Sequence, residues 1–345
     1  MIVPSIVWTI CFGLFCGIIA IQLFYYLYFF IRLANYIPAV KENTVEHAVS
    51  VVICARDEAH NLVKNIPGIL VQNYKTTHEV VLVNDNSTDE SKYIIDEFKR
   101  SFKNLNLIEL TQEALMISGK KFPLSMGIKS AKYEIVLGYG AYHKQPGILN
   151  KLIRFETFHT AIQYLSYSLA GKPYMGVGRN LSYKKNVFFR NKGFSSINQI
   201  PSGDDDLFIN QVANSTNTAI IIDPETHTLS QSKQSWGEWM SQKYRHYTTS
   251  KYYKPIHKFL LGLYSFTLFF LYPMLIVSMI FYNWWIALII FGFRFLIQAY
   301  VYFKAMKKLN EADLFPWFLL LDIWMFFYFI LTAPALWKAP RKNWN

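Results

Sequence analysis

Residues 48–58 read AVSVVICARDE, and residues 78–91 read HEVVLVNDNSTDES. In each, a β-branched apolar run stops abruptly in charged and polar residues, the pattern of a buried strand feeding a turn. Between them, Asn61 to Gln72 carries Leu62, Ile66, Ile69 and Leu70 at helical spacing, with Pro67 as a blemish. Ser87-Thr88-Asp89-Glu90 has the S-x-x-E form of a helix capping box and predicts a helix running through Arg100. Leu107 to Leu110 is a short third strand. Strand, helix, strand, helix, strand in so few residues predicts a parallel sheet with crossover helices.

Outward from this core the chain becomes apolar at both ends. Hydrophobic residues make up 52% of the 345, and they are unevenly spread. Met1 to Ile31 contains no charged side chain, and neither does Phe259 to Phe293. One helical crossing of a bilayer core takes roughly 20 apolar residues. The first stretch therefore fits one span and the second fits two, with the hinge expected at Tyr282-Asn283-Trp284. Leu314 to Leu336 is a further apolar run, interrupted by Pro316, Asp322 and Pro334, which leaves open whether it spans, re-enters or lies in the interface. The N-terminal run is too long for the core of a signal peptide and lacks a basic start and a small-residue cleavage site, so a retained anchor is expected. Arg32 and Lys41 follow it, which puts the polar middle in the cytoplasm by the positive-inside rule.

Net charge is +12, from 35 basic and 23 acidic residues. Anionic lipid and phosphorylated substrates account for such a balance in a chain with spans, and nucleic acid is not the expected partner. The three cysteines imply neither a zinc site nor a disulfide framework: Cys11 and Cys16 lie in the anchor and Cys54 in an apolar strand. Four parts follow: an anchor (1–32), a cytoplasmic domain (48–230), an amphipathic interfacial segment (231–256) and C-terminal membrane helices (257–337). In the third, Trp236, Trp239, Tyr244 and Tyr247 alternate with Lys233, Lys243 and Arg245, a mixture suited to a membrane surface.

Ligands of parallel sheets collect beyond the carboxyl ends of the strands. Arg56-Asp57-Glu58 and Asp85 stand at two such ends. A carboxylate there can accept from a uracil N3–H or a ribose hydroxyl, although loop and capping polarity explains these residues equally well. Gly119-Lys120-Lys121 is no P-loop, and Gly176-Val177-Gly178 lacks the third glycine of a dinucleotide fingerprint. In SGDDDLF, Asp204, Asp205 and Asp206 follow Gly203 and sit between apolar flanks, which favours a pocket wall over an open loop. A carboxylate so placed can act as general base. Gln242 and Arg245 share one helix face at i and i+3, and a guanidinium can clamp a diphosphate.

In this order the pieces resemble membrane-associated family 2 glycosyltransferases of GT-A fold, the group that includes hyaluronan and cellulose synthases and many bacterial envelope enzymes. VVICARDEAHNL and VVLVNDNSTDES are similar to the family's nucleotide-binding start, and GKKFPLSMGIKSA to its glycine–lysine segment. SGDDDLF and QKYRH are similar to its catalytic-base and Q-x-x-R-W motifs. The resemblance implies an α/β fold with a mostly parallel sheet and flanking helices, one N-terminal and two to three C-terminal membrane helices, and a bacterial cell-membrane location. It implies that Ala55, Arg56, Glu58 and Asp85 hold the donor nucleoside, with Lys120 nearby. Asp205 would be the base of an inverting transfer. Asp204, Gln242 and Arg245 would meet the diphosphate or the acceptor. The implied partners are a nucleotide-sugar, a UDP-sugar first, a lipid-linked or polysaccharide acceptor, and membrane lipid.

Two departures stand out. His246 replaces the tryptophan of the last motif, which removes a stacking surface. The resemblance also implies Mg²⁺ or Mn²⁺ held by a D-x-D pair, yet no aspartate occurs between Glu97 and Gly203. Glu134 runs straight into Ile135, as if two half-motifs were joined with the middle removed, and no metal ligand is assigned. Three readings follow: an active transferase that stabilises its leaving group with Arg and Lys, an impaired relative that binds without turnover, and a membrane-anchored scaffold.

Overall fold

The computed structural model describes residues 5–38, 48–74, 77–110, 124, 138–200 and 202–336. Lys120 and the 134–135 junction lie outside the described residues. In chain order the main elements are α1 (Ile6–Phe24), β1 (Val49–Ala55), α2 (Ala59–Leu70), β2 (His78–Asn84), α3 (Ser91–Ser101) and β3 (Leu105–Glu109). Then come β4 (Gly140–Tyr142), α4 (Ile148–Leu169), α5 (Lys185–Arg190), α6 (Asp206–Val212), β5 (Thr228–Ser230) and α7 (Trp236–Tyr247). The last are α8 (Pro255–Ser278), α9 (Trp284–Lys308) and α10 (Phe318–Thr332). They fall into two compact units.

One unit comprises Ala39–Leu137, Leu181–Asp204 and Pro340–Asn345. Its sheet has the order β1-β2-β3, all parallel, with Val51 opposite Val80 and Val80 opposite Leu105. Val80 to Val83 are fully buried, as a central strand covered on both faces requires. Leu62, Ile66 and Leu70 of α2 and Ile95 of α3 pack on Val80, Leu82 and Leu105. That is the apolar stripe read from the sequence, and Pro67 is carried inside α2. The capping box does not form. The helix α3 begins at Ser91 without a side-chain cap on Glu90, because Ser87 and Thr88 are bonded elsewhere, as described below.

The other unit comprises Met1–Pro38, Gly138–Asn180 and Asp205–Ala339. Three helical stretches in it are long and apolar enough to cross a membrane: Ile6–Ala34, Pro255–Lys308 and Ala312–Ala335. The second is broken at Asn283, whose backbone is extended at φ −159° and ψ 113° and whose side chain caps Ile286. The break falls at the expected hinge. Phe15, Ile18 and Ile19 of α1 pack with Leu271 and Leu275 of α8 and Ala287 of α9.

A charged cluster joins these stretches. Arg294, fully buried, donates to Gln22 Oε1 at 2.6 Å, Tyr26 Oη at 2.7 Å and Asp322 Oδ2 at 3.3 Å. Gln298 and Tyr272 also donate to Asp322, at 2.7 and 2.8 Å. A buried ion is tolerated in such surroundings only when paired and hydrogen-bonded. A second cluster fixes α4 to the turn between α9 and α10. Arg154 and Glu311 are each 2% exposed and meet at 2.5 Å, and Arg154 also reaches Asp313 at 2.7 Å. Tyr139 beside β4 donates to Glu311 at 3.2 Å.

Candidate active site

In the sheet unit, the turns after β1 and β2 are bound to each other. Asp85 N–H donates to Ala55 carbonyl at 2.9 Å, extending the strand pairing by one rung. Asp57 Oδ1 accepts from Thr88 N–H at 2.6 Å and from Thr88 Oγ1 at 3.1 Å, and Asp57 N–H donates to Ser87 Oγ at 3.0 Å. Glu58 N–H donates to Ser91 Oγ at 3.1 Å, and Ala59 N–H to Asp89 Oδ2 at 3.0 Å. This bracing takes the polar groups that a capping box would have used. Two non-glycine residues in it, Asp57 (φ 53°) and Asn86 (φ 51°), occupy the left-handed region. Such backbone persists only where surrounding bonds over-determine it, and it clusters at ligand sites.

Ala55, Arg56, Glu58 and Asp85 thus sit together at the carboxyl ends of β1 and β2. Ala55 is buried, Arg56 and Glu58 are exposed, and Asp85 is half-buried. The Glu58 carboxylate accepts from Asn61 Nδ2. Partial burial pushes the Asp85 carboxyl above its usual range, while Arg56 and a hydrogen bond from Asn86 pull it back. Asp204, half-buried, belongs to the same unit. Burial raises the Tyr183 phenol, and the charges of Asp204 and Cys54 add to the rise.

Asp205, Gln242 and Arg245 belong to the other unit. Asp205 is the N-cap of α6. Its Oδ2 accepts from Gly178 N–H at 2.7 Å and its Oδ1 from Asp206 N–H at 2.7 Å. A side chain at 178 would press against it, since a Cβ there would stand 3.1 Å from Asp205 Oδ2. The glycine read as half a dinucleotide fingerprint therefore serves as the close neighbour of this carboxylate. Its own turn is braced on β4: Arg179 donates to the carbonyls of Ala141 and Gly140, each at 2.8 Å, and lies 4.1 Å above the Tyr142 ring.

The helix α7, carrying the Q-x-x-R pair, opens with Ser235 accepting from Glu238 N–H at 3.4 Å. Lys243 pairs with Glu156 of α4, and Tyr244 donates to the Leu331 carbonyl at 2.7 Å. Gln242 Oε1 is buried without a hydrogen-bond partner among the described residues. Arg245 is half-buried and His246 exposed.

The sequence reading gave roles to Asp204 and Asp205 and none to Asp206. It is 7% exposed and accepts from Thr249 Oγ1 at 2.5 Å and Tyr253 Oη at 2.7 Å. The available signal was Asp206 and Asn210 at i and i+4 among apolar residues, a spacing that puts both on one buried helix face.

Residues 50–137, the stretch that supplies the sheet and both polar turns, match the family described as Glycosyl transferase family 2. This stretch is similar to a family 2 glycosyltransferase domain. Among solved structures, the mannosyltransferase PcManGT from Pyrobaculum calidifontis, in complex with GDP-Man and Mn²⁺, is similar at 16% identity. The match covers 93% of this chain and 99% of that one, with a TM-score of 0.55. At that identity the likeness shows the fold alone, GT-A-like with a parallel sheet and flanking helices. S. aureus TarS 1–349 is a more distant match, 13% identical over 77% of this chain and 89% of that one, with a TM-score of 0.40. No curated protein matches the sequence.

Proposed function

We propose that the chain is an inverting, membrane-associated glycosyltransferase of envelope polysaccharide or glycolipid synthesis. It moves a sugar from a nucleoside-diphosphate donor, a UDP-sugar first, to a hydroxyl acceptor that is lipid-linked or part of a polysaccharide. The observation that carries this reading is the pair of braced polar turns at the carboxyl ends of β1 and β2, inside the segment that matches the family. In this reading Ala55, Arg56, Glu58 and Asp85 contact the nucleoside, with Lys120 beside the donor. Asp204, Gln242 and Arg245 bracket the diphosphate or the acceptor. The reaction runs on the cytoplasmic side of a bacterial membrane.

Asp205 takes the proton from the acceptor hydroxyl as that oxygen attacks the anomeric carbon. The bond to the diphosphate breaks on the opposite face, and the nucleoside diphosphate leaves with the electron pair. Two N–H donors aim the Asp205 carboxylate and limit its rotation, so little reorganisation accompanies the proton transfer. A divalent cation in such sites stabilises the leaving diphosphate and is held by clustered carboxylates. Among the described residues no group of three metal-ligating side chains occurs. The carboxylates of Asp57 and Asp89 are engaged with backbone and hydroxyl donors. Asp57 and Asp89 do not fit the metal, and in this reading cationic side chains such as Arg245 and Lys120 stabilise the leaving group.

A second reading, binding without turnover, is favoured by the lack of any aspartate between Glu97 and Gly203. One experiment separates the two. Release of nucleoside diphosphate from UDP- and GDP-sugars is followed in membranes containing the full chain, with added Mn²⁺ or with a chelator. Transfer indifferent to both supports metal-free chemistry. Asp205→Asn should lower it by about 100-fold or more, and an unchanged rate would remove the base assignment. Donor binding by calorimetry without any release would establish the second reading.

A further inference from the structure

Of the three consecutive aspartates, one is turned away from solvent and bound into the protein. The geometry points to Asp206 as a positioning residue, which couples the base-bearing end of α6 to the helix carrying Gln242 and Arg245. The inference rests on the transferase reading above and deepens it.

Asp206 Oδ2 accepts two hydroxyls, Thr249 Oγ1 at 2.5 Å and Tyr253 Oη at 2.7 Å, while Oδ1 accepts from Leu207 N–H at 2.7 Å. One turn later Asn210, 2% exposed, continues the same face. Its Oδ1 accepts from Lys254 N–H at 2.8 Å, and its Nδ2 donates to the Tyr174 carbonyl at 2.8 Å and meets His257 Nδ1 at 2.9 Å. Thr249, Tyr253 and Lys254 all belong to the short linker between α7 and α8. That linker is stiffened in its turn, since Thr249 Oγ1 also reaches the His246 carbonyl at 2.8 Å and Thr248 Oγ1 the Arg245 carbonyl at 2.7 Å.

A rigid path therefore runs from Asp205 at the helix cap, through Asp206 in the next position, to the last turn of α7. Hydrogen bonds to an ionised acceptor are the stronger class and are more exacting in geometry. An apolar side chain at 206 would take that acceptor from Tyr253 Oη and leave the Thr249 hydroxyl to the His246 carbonyl alone. An asparagine has one oxygen, so it cannot serve both the Leu207 N–H and the two hydroxyls. The helix has seven residues, too few to hold its orientation without these anchors.

The test compares Asp206→Asn, Thr249→Val, Thr249→Ser and Asp205→Asn in the full chain in native membrane vesicles. Nucleoside diphosphate release from GDP-mannose and from UDP-N-acetylglucosamine is measured across pH, together with the Kd of UMP. Asp206→Asn and Thr249→Val should lower kcat by about 10- to 100-fold, the loss expected for a misplacement near 1 Å. The Kd of UMP, which lacks the diphosphate, should stay within about twofold, and the acid limb of the pH profile should persist, because Asp205 remains the base. Thr249→Ser, which keeps the hydroxyl, should restore the rate. Wild-type kcat in Asp206→Asn, or equal impairment in Thr249→Ser and Thr249→Val, would overturn the assignment. Silence of the wild-type chain on both donors would count against the transferase reading instead. The coupling is then read from hydrogen exchange at the Gly178 amide, which donates to Asp205. Exchange about tenfold faster in Asp206→Asn supports it, and an unchanged rate overturns it.

Discussion

Arg154→Met removes the centre of the buried cluster between α4 and the α9–α10 turn, and its cost can be worked out. The guanidinium gives Glu311 Oε2 two bonds, at 2.9 and 2.5 Å, and a further pair to Asp313 at 2.7 and 2.8 Å. Without it Asp313 keeps Lys144 at 2.8 Å, whereas among the described residues Glu311 keeps only the Tyr139 hydroxyl at 3.2 Å. Stranding one member of a buried pair costs about 3–5 kcal/mol, a Tm drop of about 6–10 °C. The loss must depend on pH. Burial raises Glu311 to about 6 from 4.5 even with Arg154 beside it. A carboxyl raised in the folded state favours the fold below its unfolded value of 4.5, and that contribution is lost as pH rises through about 6. For the wild type this amounts to about 2 kcal/mol, and removing the cation must widen the gap. The variant should therefore be most destabilised at pH 7 and recover toward pH 5. Unfolding of the full chain in detergent is followed by tryptophan fluorescence, since Trp236, Trp239 and Trp324 all lie in this unit. Arg154→Met combined with Glu311→Met should lie within about 1 kcal/mol of wild type. A loss below about 1 kcal/mol, or one of equal size at pH 5 and 7, would refute the reasoning.

Other expectations concern the polar turns. Asp57→Ala removes the acceptor for Thr88 and puts a Cβ-bearing apolar residue at φ 53°. Exchange of the Thr88 amide should quicken by about 10- to 100-fold, as a loss of about 1–3 kcal/mol implies, and Asp57→Asn should show a smaller change. Arg56→Gln should raise Asp85 further, because Arg56 opposes the effect of burial. If Asp85 in its ionised form accepts from the nucleoside, UDP binding should weaken as pH falls, with a midpoint that moves upward in Arg56→Gln. Calorimetry at several pH values measures this, and a fixed midpoint would exclude Asp85 from the nucleoside contact.

The parts legible in the sequence were those decided by neighbours along the chain. The strands around Val51 and Val81 and the helix carrying Leu62, Ile66 and Leu70 need only local periodicity. Asn283 was legible for the same reason, as a polar residue that ends an apolar run. The S-x-x-E motif misled because capping is a competition. Ser87 and Thr88 had a better partner in Asp57, about thirty residues away. The three aspartates after Gly203 are indistinguishable by type, and only the linker residues Thr249 and Tyr253 tell Asp206 from Asp205. Arg154 with Glu311, and Arg294 with Gln22, are separated by 157 and 272 positions, so no local pattern announces them.

The Arg294 cluster bears on how the chain is made. Ribosomes deliver Gln22 and Tyr26 first, Arg294 much later, and Asp322 last of all. The amide and phenol of the first helix are already in the chain when the guanidinium is added, and its carboxylate follows only 28 residues later. The order of synthesis thus provides the most costly side chain with neutral acceptors before its counter-ion.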